Sequence, residues 1–370
     1  MRKIAITTVA VASVALMALS GCSSRGASGD SSDAAGFDKG AVIGVALPDK
    51  TSENWVLAGK LFEEDIKAAG YTPDIQYAPS SNTAAEQASQ ISAMNTKGAK
   101  VLIIGAFDGK QLGSQVSAAH DAGAKVIAYD RIIQDTPNVD YYVAYDNEKV
   151  GELQGQALLD GMKARFPDAK TYNIELFSGA STDPNAAVFF DGAMKILQPK
   201  IDDGTLKVVS GQTKVAQTQT TGWLAANAQT RMDTLLAGNY SGSTALNGVL
   251  SPNDTLARAI ITSIKTAGKD KPTMPVVTGQ DSEAASIPLI MNGQQYSTIN
   301  KDTAALVQQA VDMVKELAKG SDATVNSDPT DNGSVKVPTY YLAPQLVTKD
   351  NAAESYANNP TLLKLVQANS

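Results

Sequence analysis

The chain has 370 residues, too many for one ordinary hydrophobic core, so its length alone predicts two domains. Apolar residues make up 43%, charged residues 19% and aromatic residues 6%, which suits a soluble α/β protein and excludes a disordered chain. A formal net charge of −7 argues against a nucleic-acid partner, which needs a basic face to displace counterions. His120 is the only histidine, so Ser-His-Asp and Cys-His catalysis and the usual zinc ligand sets are ruled out, and no metal or other cofactor is expected. Cys22 is the only cysteine, which excludes an intrachain disulfide.

Arg2 and Lys3 precede an apolar run from Ile4 to Leu19, 16 residues long and somewhat short for a bilayer span of about 20. It reads as a signal peptide. The run ends in Leu19-Ser20-Gly21-Cys22, which resembles a bacterial lipobox, where cleavage before the cysteine leaves a lipid-modified N-terminus. A buried or incidental thiol is the alternative for Cys22. Removal of residues 1–21 takes away Arg2 and Lys3 and no acidic residue, leaving a net charge of −9. Residues 22–39, rich in Ser, Gly, Ala and Asp, are expected to form a flexible tether.

From Ala41 onward, short apolar runs alternate with longer segments of helical period, the pattern of βαβ units and a mostly parallel sheet. Strands are predicted at Ala41–Leu47, Asp74–Tyr77, Val101–Ile104, Lys125–Ala128 and Tyr141–Tyr145, and helices at Asn54–Ala69, Thr83–Thr96 and Lys110–Ala122. Gly70 and Gly123 stop the first and third helices. A second set follows, with strands Thr171–Phe177, Leu206–Ser210, Gly248–Leu250 and Pro275–Thr278 and helices Asn185–Leu197, Leu224–Leu236 and Thr255–Ala267. Beyond Asp281 come Ser286–Met291, a strand Tyr296–Ile299, a long helix Thr303–Lys319 and an extended Val335–Leu342.

In open α/β sheets, ligands sit beyond the carboxyl ends of the strands, where helix N-termini and loops present unpaired N–H groups. Polar side chains collect there in both halves. Lys50 and Trp55 follow the first strand, and Phe107-Asp108-Gly109 the third. Asp130-Arg131 follow the fourth, and Asp183-Pro184-Asn185 the strand ending at Phe177. Asn253-Asp254, Gln280-Asp281 and Asn300-Lys301 close the later ones. Each has a local explanation too. Asn253, Asp254 and Asp281 stand where helix N-caps belong, Asp108-Gly109 reads as a turn, Asp130-Arg131 could pair locally, and Lys50 and Lys301 could be solvated. The joint recurrence at strand ends favours a site between the two halves.

Trp55 and Trp223, the only tryptophans, both project from loop–helix junctions on that edge. Indole faces beside Asp, Asn, Arg and Lys side chains suit a monosaccharide, whose ring has apolar C–H faces and in-plane hydroxyls.

The segments IGVALP (43–48), KVIAYDR (125–131), AYDNEKVGELQGQAL (144–158), GWLAANA (222–228), SPND (251–254) and TGQD (278–281) resemble the periplasmic-binding-protein-like monosaccharide receptors. The branch they are most similar to is the xylose and multiple-monosaccharide binding proteins of ABC sugar importers, over residues 41–345. The resemblance implies two doubly wound, parallel-sheet α/β domains joined by a three-strand hinge, with the ligand cleft between them. It implies that Trp55 and Trp223 stack on the sugar, and that Asp130, Arg131, Asn253, Asp281 and Lys301 bind its hydroxyls. Lys50 matches a lysine of the multiple-sugar branch, and Asn185 an asparagine of the family's NNA segment, although Pro184 here replaces the first asparagine.

It further implies crossings near Tyr145–Asn147, Gly279–Ser282 and residues 320–330, hence one domain of residues 40–146 plus 282–322 and another of 147–281 plus 323–345. Residues 346–370 lie beyond that plan. The implied function is a lipid-anchored, monomeric receptor on the outer face of the cell membrane. It would capture an aldopyranose such as xylose, glucose, galactose or arabinose and deliver it to an ABC permease. Fructose or ribose is the alternative ligand, and presentation of the bound form to a membrane kinase or chemoreceptor the alternative role. A sugar hydrolase would need a clear carboxylate acid and nucleophile pair, which the sequence does not single out, so no enzymatic activity is expected.

Overall fold

A computed structural model describes residues 36–48, 50, 52–79 and 83–370. The apolar run 4–19, Cys22 and the tether up to residue 35 lie outside the described residues. Phe37 and Lys39, expected in the tether, are docked instead. Phe37 packs edge-on against Tyr71 with ring centroids 5.6 Å apart and donates its N–H to the Ala318 carbonyl at 3.1 Å.

Aliphatic and β-branched runs form the strands. The first half supplies β1 (Val42–Leu47), β2 (Thr72–Tyr77), β3 (Val101–Ile104), β4 (Lys125–Tyr129) and β5 (Tyr141–Tyr145). The second supplies β6 (Tyr172–Leu176), β7 (Leu206–Val208), β8 (Gly248–Leu250) and β9 (Val276–Val277). Then come β10 (Ser297–Asn300), β11 (Ser327–Asp331), β12 (Lys336–Leu342) and β13 (Gln345–Thr348). One sheet has the order β11-β12-β5-β4-β3-β1-β2, parallel except for β11, and the other the order β7-β6-β8-β9, all parallel. β10 and β13 pair antiparallel beside β9, to which β10 is linked by the Tyr296 N–H donating to the Val277 carbonyl at 2.9 Å. The result is an α/β protein of two doubly wound lobes. All four residues of β3 are fully buried, because helices cover both faces of a parallel sheet.

The strand pairing differs from expectation in two tracts. β11 and β12 were expected in the second half, yet β12 runs parallel to β5, with Tyr340 opposite Val143, and buries Val337 in the first lobe's core. Residues 284–300, expected in the first half, belong with the second lobe. There Ile287, Ile290 and Met291 pack against Val347, Tyr356, Leu362 and Val366. Residues 346–370 therefore pack onto the second lobe. The chain passes between the sheets at Tyr145–Asn147, Asn300–Thr303 and Leu342–Gln345. Helix Thr303–Ala318 returns to the first lobe, burying Leu306, Val307, Ala310, Val311 and Val314 with Phe62 and Ile66 of helix Glu53–Ala68.

A helix that the periodicity did not disclose, Asn147–Arg165, packs along helix Pro184–Asp202. Where the two helices meet it carries Gly151 and Gly155, while Val150, Leu158 and Met162 are buried in the core. A Cβ at Gly151 would lie 2.0 Å from the Phe189 carbonyl oxygen, so only glycine allows this approach.

Candidate functional site

Helix caps place much of the site. Asp183 accepts the Asn185 N–H at 2.9 Å and caps helix Pro184–Asp202, and Asn253 Oδ1 accepts the Leu256 N–H at 3.0 Å and caps helix Asp254–Thr266. Each cap contributes about 1 kcal/mol. Both helices thereby start at the carboxyl edge of the second sheet, facing the loops after β1, β3 and β4 of the first.

Trp55, Asp130, Arg131, Asn185, Trp223, Asn253, Asp281 and Lys301 line one cavity between the lobes. Its empty space, counted with the open solvent at its mouth, is about 930 Å³. Lys50 is not among the lining residues. It is exposed, with its ammonium 4.6 Å from the centroid of the Tyr77 ring.

Each lobe contributes one indole. Trp55 lies in the first turn of helix Glu53–Ala68, edge-on to Tyr129 at 6.2 Å, with the Arg131 guanidinium 5.2 Å from its ring centroid. Trp223 follows Gly222 in a short 3-10 turn, both residues with positive φ, and its ring lies against the backbone of Gly179. A Cβ at Gly179 would stand 2.0 Å from Trp223 Cζ2, so glycine there is what lets the indole seat.

The charged groups interlock. Lys301, 10% exposed, places its ammonium 2.9 Å from Asp281 Oδ1, 3.9 Å from Asp130 Oδ2 and 5.3 Å from the Phe189 ring centroid. Burial alone disfavours this ammonium, but the carboxylates of Asp281, Asp130 and Asp183 outweigh it and hold its pKa above the usual lysine value. Lys301 is thus not a solvated lysine. Asp281 is not a helix cap either: its φ is 93° and its N–H goes to the Ile299 carbonyl at 2.9 Å. Arg131 does not pair with its neighbour Asp130. Its Nε lies 2.9 Å from Asp183 Oδ2 in the other lobe, and its Nη1 donates to the Ala106 carbonyl at 3.1 Å. Asp254, the other candidate cap, is wholly buried behind the site, accepting from Gln295 Nε2 at 2.7 Å and from Thr298 Oγ1 and the Glu283 N–H at 3.0 Å each. Asp108 holds a turn through the Lys110 N–H at 2.9 Å.

Two sets of contacts bridge the lobes at the mouth. On one side Ser52 Oγ donates to Glu283 Oε1 at 3.1 Å, Asn54 Nδ2 to the Asp281 carbonyl at 3.3 Å, and the Ala284 N–H to Glu53 Oε2 at 2.9 Å. On the other, Asn185 Nδ2 donates to the Asp130 carbonyl at 2.8 Å, beside the Arg131–Asp183 pair. Asn185 therefore spends its donor across the cleft. The sequence reading did not select Asn54, Tyr129, Asp183, Phe189 or Glu283 for the site. Asp183 carried a signal, since it stands in the same strand-end loop as Asn185, but its cap role concealed the oxygen that holds Arg131. Among the described residues, no cluster of three or more His, Cys, Asp or Glu could hold a metal ion, and no helix is long and apolar enough to cross a membrane.

Two parallel-sheet lobes with a polar, aromatic cleft at their carboxyl edges have the architecture of a small-ligand binding protein. Residues 43–322 match the family described as periplasmic binding protein domain, and the chain belongs to that family. It is 45% identical over 318 residues to the multiple sugar-binding periplasmic receptor ChvE of Rhizobium radiobacter, covering 85% of this chain and 88% of the relative. It is 33% identical over 317 residues to the D-xylose-binding periplasmic protein of Escherichia coli, covering 85% and 88%. An ABC transporter solute-binding protein from Clostridium phytofermentans, solved with bound β-D-glucose, superposes with a TM-score of 0.81 at 37% identity, over 87% of this chain and 99% of that one.

Proposed function

We propose that this protein is an extracytoplasmic receptor that closes over one monosaccharide, an aldopyranose such as xylose, glucose, galactose or arabinose, and delivers it to a membrane ABC permease. The observation that carries this reading is the cavity itself, with one indole from each lobe around Asp130, Arg131, Asn253, Asp281 and Lys301. Pyranose C–H faces stack on the indoles, while the charged groups exchange hydrogen bonds with ring hydroxyls. Asn253 Oδ1 is committed to its helix, but Nδ2 makes no hydrogen bond among the described residues and is available as a donor. The sugars named for the relatives support an aldose. No bond of the sugar is broken in this role.

Closure is a hinge motion about the three crossings, between residues 36–145 with 301–342 and residues 146–300 with 343–370. A sugar held by both lobes favours the shut state by its differential affinity for it. Cys22 is the proposed lipid attachment point, which would hold a monomeric receptor at the outer face of the membrane.

Asp281→Ala tests the site. Loss of a charge-assisted contact, with Lys301 left only a more distant partner, is expected to weaken binding of D-glucose or D-xylose by about 1.5–3 kcal/mol in calorimetry, without unfolding the protein. Affinity retained within about threefold, roughly 0.7 kcal/mol, would remove Asp281 from the binding set.

A further inference from the structure

The loop that presents Asp281 has an unusual backbone. Asp281 and the next residue, Ser282, both have positive φ, 93° and 51°, although neither is glycine. Such residues persist only where their surroundings over-determine them. Three anchors come from the body of the second lobe: the Asp281 N–H on the Ile299 carbonyl at 2.9 Å, the Ser282 N–H on Thr298 Oγ1 at 3.1 Å, and the Glu283 N–H on Asp254 Oδ2 at 3.0 Å. All three hold backbone N–H groups. The fourth holds a side chain and comes from far along the chain, where the Tyr356 hydroxyl donates to Ser282 Oγ at 2.7 Å.

Tyr356 is 1% exposed and is gripped by the cluster of Ile287, Ile290, Val347, Leu362 and Val366. Burial raises its pKa, so the phenol stays protonated and remains a donor. Nothing else about this tyrosine requires a hydroxyl. Ser282 in turn is 6% exposed and sits between the cavity residue Asp281 and Glu283, which bridges to Ser52 of the other lobe.

We propose that Tyr356 is a positioning residue of the sugar site, whose hydroxyl pins Ser282 in the left-handed conformation and so aims the Asp281 carboxylate at Lys301 and the ligand. The inference rests on the reading of the cavity as a monosaccharide site. It gives the C-terminal tract, helices Ala352–Ser355 and Pro360–Ala368, a part in binding as well as in packing. Left without its hydroxyl, Ser282 can relax toward negative φ and swing Asp281 away from the ammonium.

The test is calorimetric titration of the full chain with D-glucose and D-xylose. Tyr356→Phe, which keeps the ring and its packing, and Ser282→Ala, which removes the same hydrogen bond from the other side, are each expected to weaken binding about five- to twentyfold, and the double variant no further. Tyr356→Phe combined with Ser282→Gly is expected to recover to within about twofold of the parent, because glycine takes positive φ without a restraint. A tyrosine that acted only by packing would not be rescued by glycine at residue 282. Unchanged affinity in both single variants, or no recovery with glycine, overturns the positioning role while leaving the sugar site intact. No binding of either sugar by the parent overturns the reading of the cavity, and this inference with it.

Discussion

Lys301→Met is expected to abolish measurable sugar binding while changing the melting temperature little. The ammonium is the positive centre of a buried group in which Asp281 stands at 2.9 Å and Asp130 at 3.9 Å, one from each lobe. Removing one partner of a buried pair leaves the other charges uncompensated, at a cost of about 3–5 kcal/mol. That cost falls on the closed form, because opening the cleft returns both carboxylates to water. A penalty of this size corresponds to a loss of affinity of at least about a hundredfold. Methionine keeps most of the length of the side chain against Phe189, so packing is not the variable. Calorimetric titration checks affinity, and thermal unfolding without sugar checks the fold. Affinity within about threefold of the parent would mean that the cluster is not part of the ligand grip.

Gly179→Ala is expected to weaken binding about ten- to a hundredfold, although no glycine atom need touch the sugar. Its new Cβ would stand 2.0 Å from Cζ2 and 2.3 Å from Cη2 of Trp223, far inside van der Waals contact. Either the indole or the loop after β6 must move. The indole is the freer of the two, since Trp223 sits in a short turn at positive φ and the Gly179 carbonyl is held by the Thr220 N–H at 3.2 Å. Displacement of the ring from its seat removes the stacking surface of the second lobe. Trp223→Ala should then weaken binding to a similar degree, and the double variant should be no weaker than Trp223→Ala alone. Normal affinity in Gly179→Ala would show that the Trp223 ring does not need this seat.

Much of this site was legible because α/β topology converts sequence position into spatial position. A polar residue directly after a buried strand such as Val101–Ile104 or Lys125–Tyr129 has little choice but the carboxyl edge of the sheet, and eight of the nine residues selected on that basis or by family resemblance line one cavity. Lys50 is the one that does not. It stands exposed beside the Tyr77 ring.

What stayed hidden depends on contacts distant in sequence. Helix Asn147–Arg165 is buried on more than one side, with Val150, Leu158 and Met162 in the core and Gly151 and Gly155 admitting a neighbouring helix, so no single apolar stripe marks it. β12 is half polar, and only its pairing with β5 assigns it to the first lobe. Phe189 and Tyr129 read as core aromatics, which they also are, and nothing local marks that they border the cavity as well. The Tyr356–Ser282 hydrogen bond spans 74 residues and has no signature in either segment.

A monosaccharide held between Trp55 and Trp223, as proposed, would touch both tryptophans of the chain. Titration of the protein's tryptophan emission with a panel of aldoses, ketoses and disaccharides is therefore the decisive experiment. A saturating shift is expected with one or a few aldopyranoses, reduced in amplitude when either tryptophan is replaced by phenylalanine. Emission unmoved by every sugar in the panel would contradict it.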